Sequence, residues 1–150
     1  MNNSAVTFIE LLLVVIIIGI LLGISVPNLR TTLDNFALEN FVKNIYTFSL
    51  YLQASAISQA RPYCLNIDQD KSAIWGSYKS EEGFEALTAR YALGYKIPAG
   101  VTVLLEPPDK NKIYFYPDGT TDKASIKFTN REKKELSLVI QGGWGGIKMP

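Results

Sequence analysis

No histidine occurs anywhere in the 150 residues. An imidazole general base, a histidine-ligated zinc site and a histidine pH switch are excluded with it. The single cysteine, Cys64, has no intrachain partner, so the fold cannot lean on a disulfide. Charge is scarce and balanced: 15 Lys+Arg against 14 Asp+Glu leave a net +1, and charged residues make up 19%. That is neither the strongly basic profile of a dedicated nucleic-acid binder nor the acidic profile of a disordered tail. The chain also lacks a Walker loop, a dinucleotide fingerprint and a serine–base arrangement, so no enzyme, metal or cofactor is expected. Its length suits one domain with a real core rather than two.

What the chain has in excess is grease, and it is concentrated at the start. Residues 11–24 read LLLVVIIIGILLGI, without a polar side chain, and residues 6–26 are interrupted only by Thr7, Glu10 and Ser25. As a helix those 21 residues span about 31 Å, close to the hydrocarbon thickness of a bilayer. A cleavable secretory signal cut before Val26 is one reading, but residues 1–5 carry no Lys or Arg. A plain membrane anchor is another, and it leaves Glu10 unexplained. A carboxylate at the head of a membrane helix costs several kcal/mol, on the order of 2–3 on insertion scales, unless it reaches the interface or a partner. Glu10 therefore either snorkels to the interface or awaits a cation from another chain, most simply a neighbour's N-terminal amine.

Beyond Pro27 the helical pattern continues. Leu29, Leu33, Phe36, Ala37, Phe41, Ile45, Phe48, Leu52 and Ala56 recur at steps of three or four, which predicts one apolar stripe. Arg61-Pro62 closes the pattern, because a residue before proline is pushed out of the helical region. Pro27 removes one backbone bond and predicts a kink or local melting. After Pro62, strands are expected at residues 63–67, 73–79, 101–106, 112–116, 125–129 and 135–140, with a turn at Pro117-Asp118-Gly119. Residues 80–90 suggest a short helix or an insertion. The expected fold class is α+β: a long N-terminal helix, membrane half plus amphipathic half, packed on an antiparallel β-sheet domain.

The segment Ala5-Val6-Thr7-Phe8-Ile9-Glu10-Leu11-Leu12, its apolar continuation and Pro27 resemble the class III signal of type IV pilins and type II secretion pseudopilins. Gly100-Val101-Thr102-Val103, Ile113-Tyr114-Phe115-Tyr116-Pro117-Asp118-Gly119, and Leu138-Val139-Ile140 leading into the glycines of 142–146 resemble the GspH/FimT group of minor pilins and pseudopilins. Two departures stand out: Ala5 replaces the family's usual Gly before the cut, and the leader carries no basic residue. The resemblance implies a leader at 1–5, a transmembrane segment at 6–27, an amphipathic continuation at 28–61 and a periplasmic sheet domain at 62–150. It also implies cleavage by prepilin peptidase between Ala5 and Val6, N-methylation of Val6, and Glu10 compensating that amine within a filament. The partners implied are other pilin or pseudopilin subunits, the peptidase and the inner membrane, with the N-terminus cytoplasmic.

Several residues invite weaker readings. Asp68-Gln69-Asp70 reads as a solvated turn, since it lacks the glycine and distal Glu of a calcium loop. Cys64, in a run of Tyr, Leu and Ile, reads as a small core residue. Glu81, Glu82 and Glu85 read as a solvated face. Trp144, between two glycine pairs, is either a contact for a partner or, as the favoured reading, a side chain folded back on the core at a sheet edge. Residues 110–150 hold eight basic and four acidic side chains, a net +4. Some FimT-like minor pilins bind DNA, which makes Arg131, Lys133, Lys134 and Lys148 candidate DNA contacts. An ordinary polar loop at 130–135 is the simpler reading.

Overall fold

The computed structural model describes the backbone of residues 7–87, 94–108 and 110–149, and the side chains of all of these except 24–29. The apolar run and the stripe beyond it form one helix, α1 (Phe8–Ser58), which at 51 residues is about 77 Å long. It passes position 27 unbroken, so the melting expected there is absent: proline removes a single bond, and the flanking turns keep theirs. Its end is built by local geometry. Ala60 takes a left-handed φ of 49°, and the Arg61 and Ala60 amides donate to the carbonyls of Ala56 and Ile57.

Among the described residues nine strands follow: β1 (Tyr63–Asp68), β2 (Ala73–Lys79), β3 (Phe84–Ala86), β4 (Tyr95–Lys96), β5 (Thr102–Glu106), β6 (Lys112–Phe115), β7 (Thr121–Thr129), β8 (Glu135–Gly143) and β9 (Ile147–Lys148). All pair antiparallel in the order β3-β2-β1-β6-β7-β8-β9, with β4 on β2 and β5 on β7. Alternation decides which face is buried. On β5, Val103 and Leu105 point inward while Thr102, Leu104 and Glu106 face solvent.

The core lies between α1 and this sheet. Leu38, Phe41, Val42, Ile45, Phe48, Leu52 and Ala56 meet Tyr63, Leu65, Ile74, Ile113, Phe115, Ile126, Phe128, Leu138 and Ile140. Gly76 lets the helix come close: a Cβ there would sit 2.6 Å from Leu87, 2.8 Å from Phe48 and 2.9 Å from Leu52.

Two expectations are corrected. The buried stripe starts at Leu38, whereas Leu33 and Phe36 are more than half exposed and Ala37 is exposed. At about 100° per residue, Leu33 and Phe36 lie about 140° and 200° from Leu38, on the far side of the helix. Leu29 has its side chain outside the described residues. At 80–87 there is no helix: Ser80 and Gly83 make a turn, and Phe84–Ala86 becomes a strand because the free edge of β2 supplies its hydrogen bonds. Residues 88–90 lie outside the described residues.

Candidate functional site

Every residue from 7 to 23 is exposed, including Phe8 at 81% and Ile9 at 75%. Among the described residues the buried core contains none before Leu38, so this half of α1 contributes nothing to it. Such a surface of contiguous apolar side chains is expected to be covered by something else. Glu10 sits in the first turn, where the helix dipole favours a carboxylate, and among the described residues no cation lies within 4 Å of it. Ala5 and Val6 lie outside the described residues, as does the side chain of Pro27. Among the described residues no helix is long and apolar enough to cross a membrane. The described apolar stretch 8–23 extends about 24 Å, and the sequence adds Ile24, Ser25 and Val26 beyond it.

The other expected residues separate into two groups at opposite ends of β8. At its start, Asn130 is buried in the β7–β8 hairpin; its amide donates to Asn35 Oδ1 at 2.7 Å, and its own Oδ1 accepts the Lys134 N–H at 2.9 Å. Lys134 reaches Glu39 in an ion pair. Arg131 lies across Gly100, whose missing Cβ leaves the room, and Lys133 takes a left-handed φ of 60° at the hairpin tip. Arg131 and Lys133 are exposed and make no ion pair among the described residues. Lys148 is on β9, paired with Val139, and does not join this cluster.

At the far end of β8, Gly142 and Gly143 adopt φ of 75° and 56° and turn the chain into Trp144. The favoured expectation for Trp144 is corrected: it is 80% exposed. Only one edge of its ring is covered, where a Cβ on Gly119 would lie 3.3 Å from Trp144 and 3.6 Å from Ile57. Gln53 Nε2 donates to the Gly119 carbonyl at 3.2 Å and fixes that turn to α1. Beside it, Thr120 donates its N–H and hydroxyl to Asp118, which holds that carboxyl below the usual range and keeps it charged.

Cys64 is 1% exposed and outside the α1-facing core, with its thiol directed at Asn66 Oδ1. Burial pushes it up to about 11. Asp68 accepts the Lys71 N–H and pairs with its ammonium, as a turn should. That turn borders an open cleft of about 590 Å³ lined also by Asn66, Trp75, Lys110 and Lys112. Among the described residues no three Cys, Asp or Glu side chains group as a metal site.

No protein-family model and no curated relative matches the sequence. Solved structures do. The minor pseudopilin EpsH from the type 2 secretion system of Vibrio cholerae superposes with a TM-score of 0.65 at 12% identity, over 75% of this chain and 95% of that one. Escherichia coli GspH gives 0.62 at 16%, over 77% and 89%. The type IV minor pilin FimU of Pseudomonas aeruginosa gives 0.59 at 14%, over 75% and 87%. The chain has the minor-pilin fold.

Within this minor-pilin fold, the sequence missed the exposed pair Leu33 and Phe36 and the apolar knob of Ile57 with Trp144. The first was legible from helical angle alone, had the stripe been drawn from Leu38 and Val42. The second had no local signal, because Ile57 and Trp144 are 87 residues apart in sequence.

Proposed function

We propose that this chain is a minor pilin or pseudopilin subunit that assembles into, and initiates or caps, a type II secretion pseudopilus or a type IV pilus. Its role is assembly, not catalysis. The observation that carries the reading is the start of α1, whose residues 8–23 are apolar apart from Glu10, all exposed, and absent from the chain's own core. In this reading the apolar half first rests in the inner membrane, N-terminus in the cytoplasm and sheet domain outside, and then enters a bundle of like helices. Prepilin peptidase cuts between Ala5 and Val6, and Val6 is N-methylated. Glu10 meets a neighbour's amine, and such a charge pair in a low-dielectric bundle sets register more than it adds net stability. Pro27 marks the membrane-exit end of the apolar half.

Intact mass and terminal sequencing, in cells with and without the peptidase, test this. A mature chain beginning at N-methylated Val6 is expected, with Glu10→Ala still membrane-inserted but depleted from sheared filaments. A chain retaining Met1 beside an active peptidase, or one beginning near Val26, would overturn the reading.

DNA binding is the second reading, favoured by the two unpaired cations Arg131 and Lys133 on one hairpin. It requires DNA retention that weakens steeply with salt and disappears in the Arg131→Ala/Lys133→Ala double variant.

A further inference from the structure

We infer that the cleft of about 590 Å³ beside the β1–β2 turn binds an extended peptide segment that carries a carboxylate two residues from an apolar side chain. The inference goes beyond the assembly reading, because no residue of α1 lines this cleft.

One wall of the cleft is a strand edge without a partner. Strand β5 pairs with β7 alone. The Asn130 amide donates to the Lys134 carbonyl across the β7–β8 hairpin, so the main-chain groups of Phe128 and Ile126, two and four residues back, also face β8. Val103 and Leu105, which oppose those two residues on β5, therefore turn their N–H and C=O away from β7. Gln69 agrees with that direction: its Nε2 donates to the Val103 carbonyl at 2.9 Å from the far edge. Leu105 lines the cleft, and among the described residues its N–H and C=O have no partner on that edge. At 7% exposure, such groups cost free energy until a ligand or water meets them. A donor and an acceptor on one residue match the backbone of an extended peptide, whereas a small anion would use only the donor.

The side chains around that edge set the rest of the chemistry. Asn66 on β1 lies in register with Trp75 on β2 and Lys112 on β6. Trp75 alternates with Ile74 and Gly76, which face α1, so the row lies on the opposite face of the sheet. Leu104, 53% exposed, is turned the same way on β5. Trp75 and Leu104 offer apolar surface. Lys110 and Lys112 offer two ammonium groups with no ion pair among the described residues. Of the described carboxylates in the cleft, Asp68 is taken by Lys71 and Asp70 remains. The lysines outnumber it, so an anionic group complements the cleft better than a cation. Alternate residues of an extended peptide are about 7 Å apart on one face, which lets one reach the lysines while the other covers Trp75 or Leu104.

The test uses the full-length chain in a zwitterionic detergent, probed with an array of random heptapeptides. Bound sequences are expected to be enriched in Asp or Glu two positions from Leu, Ile, Val or Phe. The best peptide should shift the emission of a Trp144→Phe variant, in which Trp75 is the one remaining indole. Lys110→Gln/Lys112→Gln should weaken that peptide about tenfold or more at an unchanged urea midpoint, and Lys110→Glu/Lys112→Glu should turn the array preference to Lys and Arg. N-methylating the peptide amides one at a time should weaken binding about tenfold at one position, the residue opposite Leu105. No acidic enrichment, enrichment that survives the glutamate variant, or indifference to every N-methylation would each overturn the inference. Competition by acetate or inorganic phosphate at the peptide's own concentration would reduce the cleft to an anion site and overturn it as well. None of these results bears on the mature N-terminus or on filament entry, so the assembly reading stands or falls separately.

Discussion

At the scale of single residues, Cys64 is the group with the most to lose on ionising. It is sealed on the sheet face away from α1, beside Asn66 and Ser77, where Asn66 donates to Ser77 Oγ at 2.9 Å. Burial there raises its pKa from 9.0 to about 11. The folded chain therefore holds the thiol proton more tightly than the unfolded chain does. The sign follows: below pH 9 the group has no effect, and between pH 9 and 11 stability falls as pH rises. The full loss across that window is roughly 2–3 kcal/mol. Urea unfolding of wild type and Cys64→Ala at pH 8 and pH 10.5 measures it. Wild type should lose more stability between the two, and parallel losses would show that tyrosines or lysines carry the alkaline sensitivity instead. The same burial predicts that a thiol alkylating reagent labels the native protein only at the rate of global or local opening.

At the scale of elements, the packing of α1 on the sheet turns on Gly76. Its absent side chain is the space into which the ends of Phe48, Leu52 and Leu87 project. Gly76→Ala should overpack that contact and cost about 1–3 kcal/mol, read as a lower denaturant midpoint with an unchanged slope. An unchanged midpoint would mean the three side chains turn aside freely. The helix and the main strands of the sheet were legible in the sequence because each has a strong period of its own, 3.6 along residues 38–56 and 2 along β5 and β7. The short strands were not. Phe84–Ala86 has no alternation to read and is a strand only because β2 offers it an edge. Likewise β8 was expected to stop at Ile140, since three further residues, Gln141 to Gly143, end in glycines; pairing with β7 as far as Thr121 carries it on. Trp144 was misread for a related reason: glycines on both sides permit either direction, and only the position of Gly119 and Ile57 decides it.

At the scale of the whole molecule, folding and assembly use different halves of the same helix. The core begins at Leu38, and just before it Asn35 ties α1 to the sheet through Asn130. Nothing described before these residues is buried, so residues 7–23 add no packing to the folded domain. An isolated helix of that length is not held by propensity in water, whereas residues 38–56 are held by the sheet they cover. A fragment of residues 28–150 should therefore keep the stability of the full-length domain to within about 1 kcal/mol, shown by matching urea midpoints against full-length protein in mild detergent. It should remain monomeric on a sizing column at concentrations where the full chain without detergent aggregates, because the exposed apolar surface of residues 8–23 is what it has lost. A destabilised fragment would place part of residues 1–27 against the sheet.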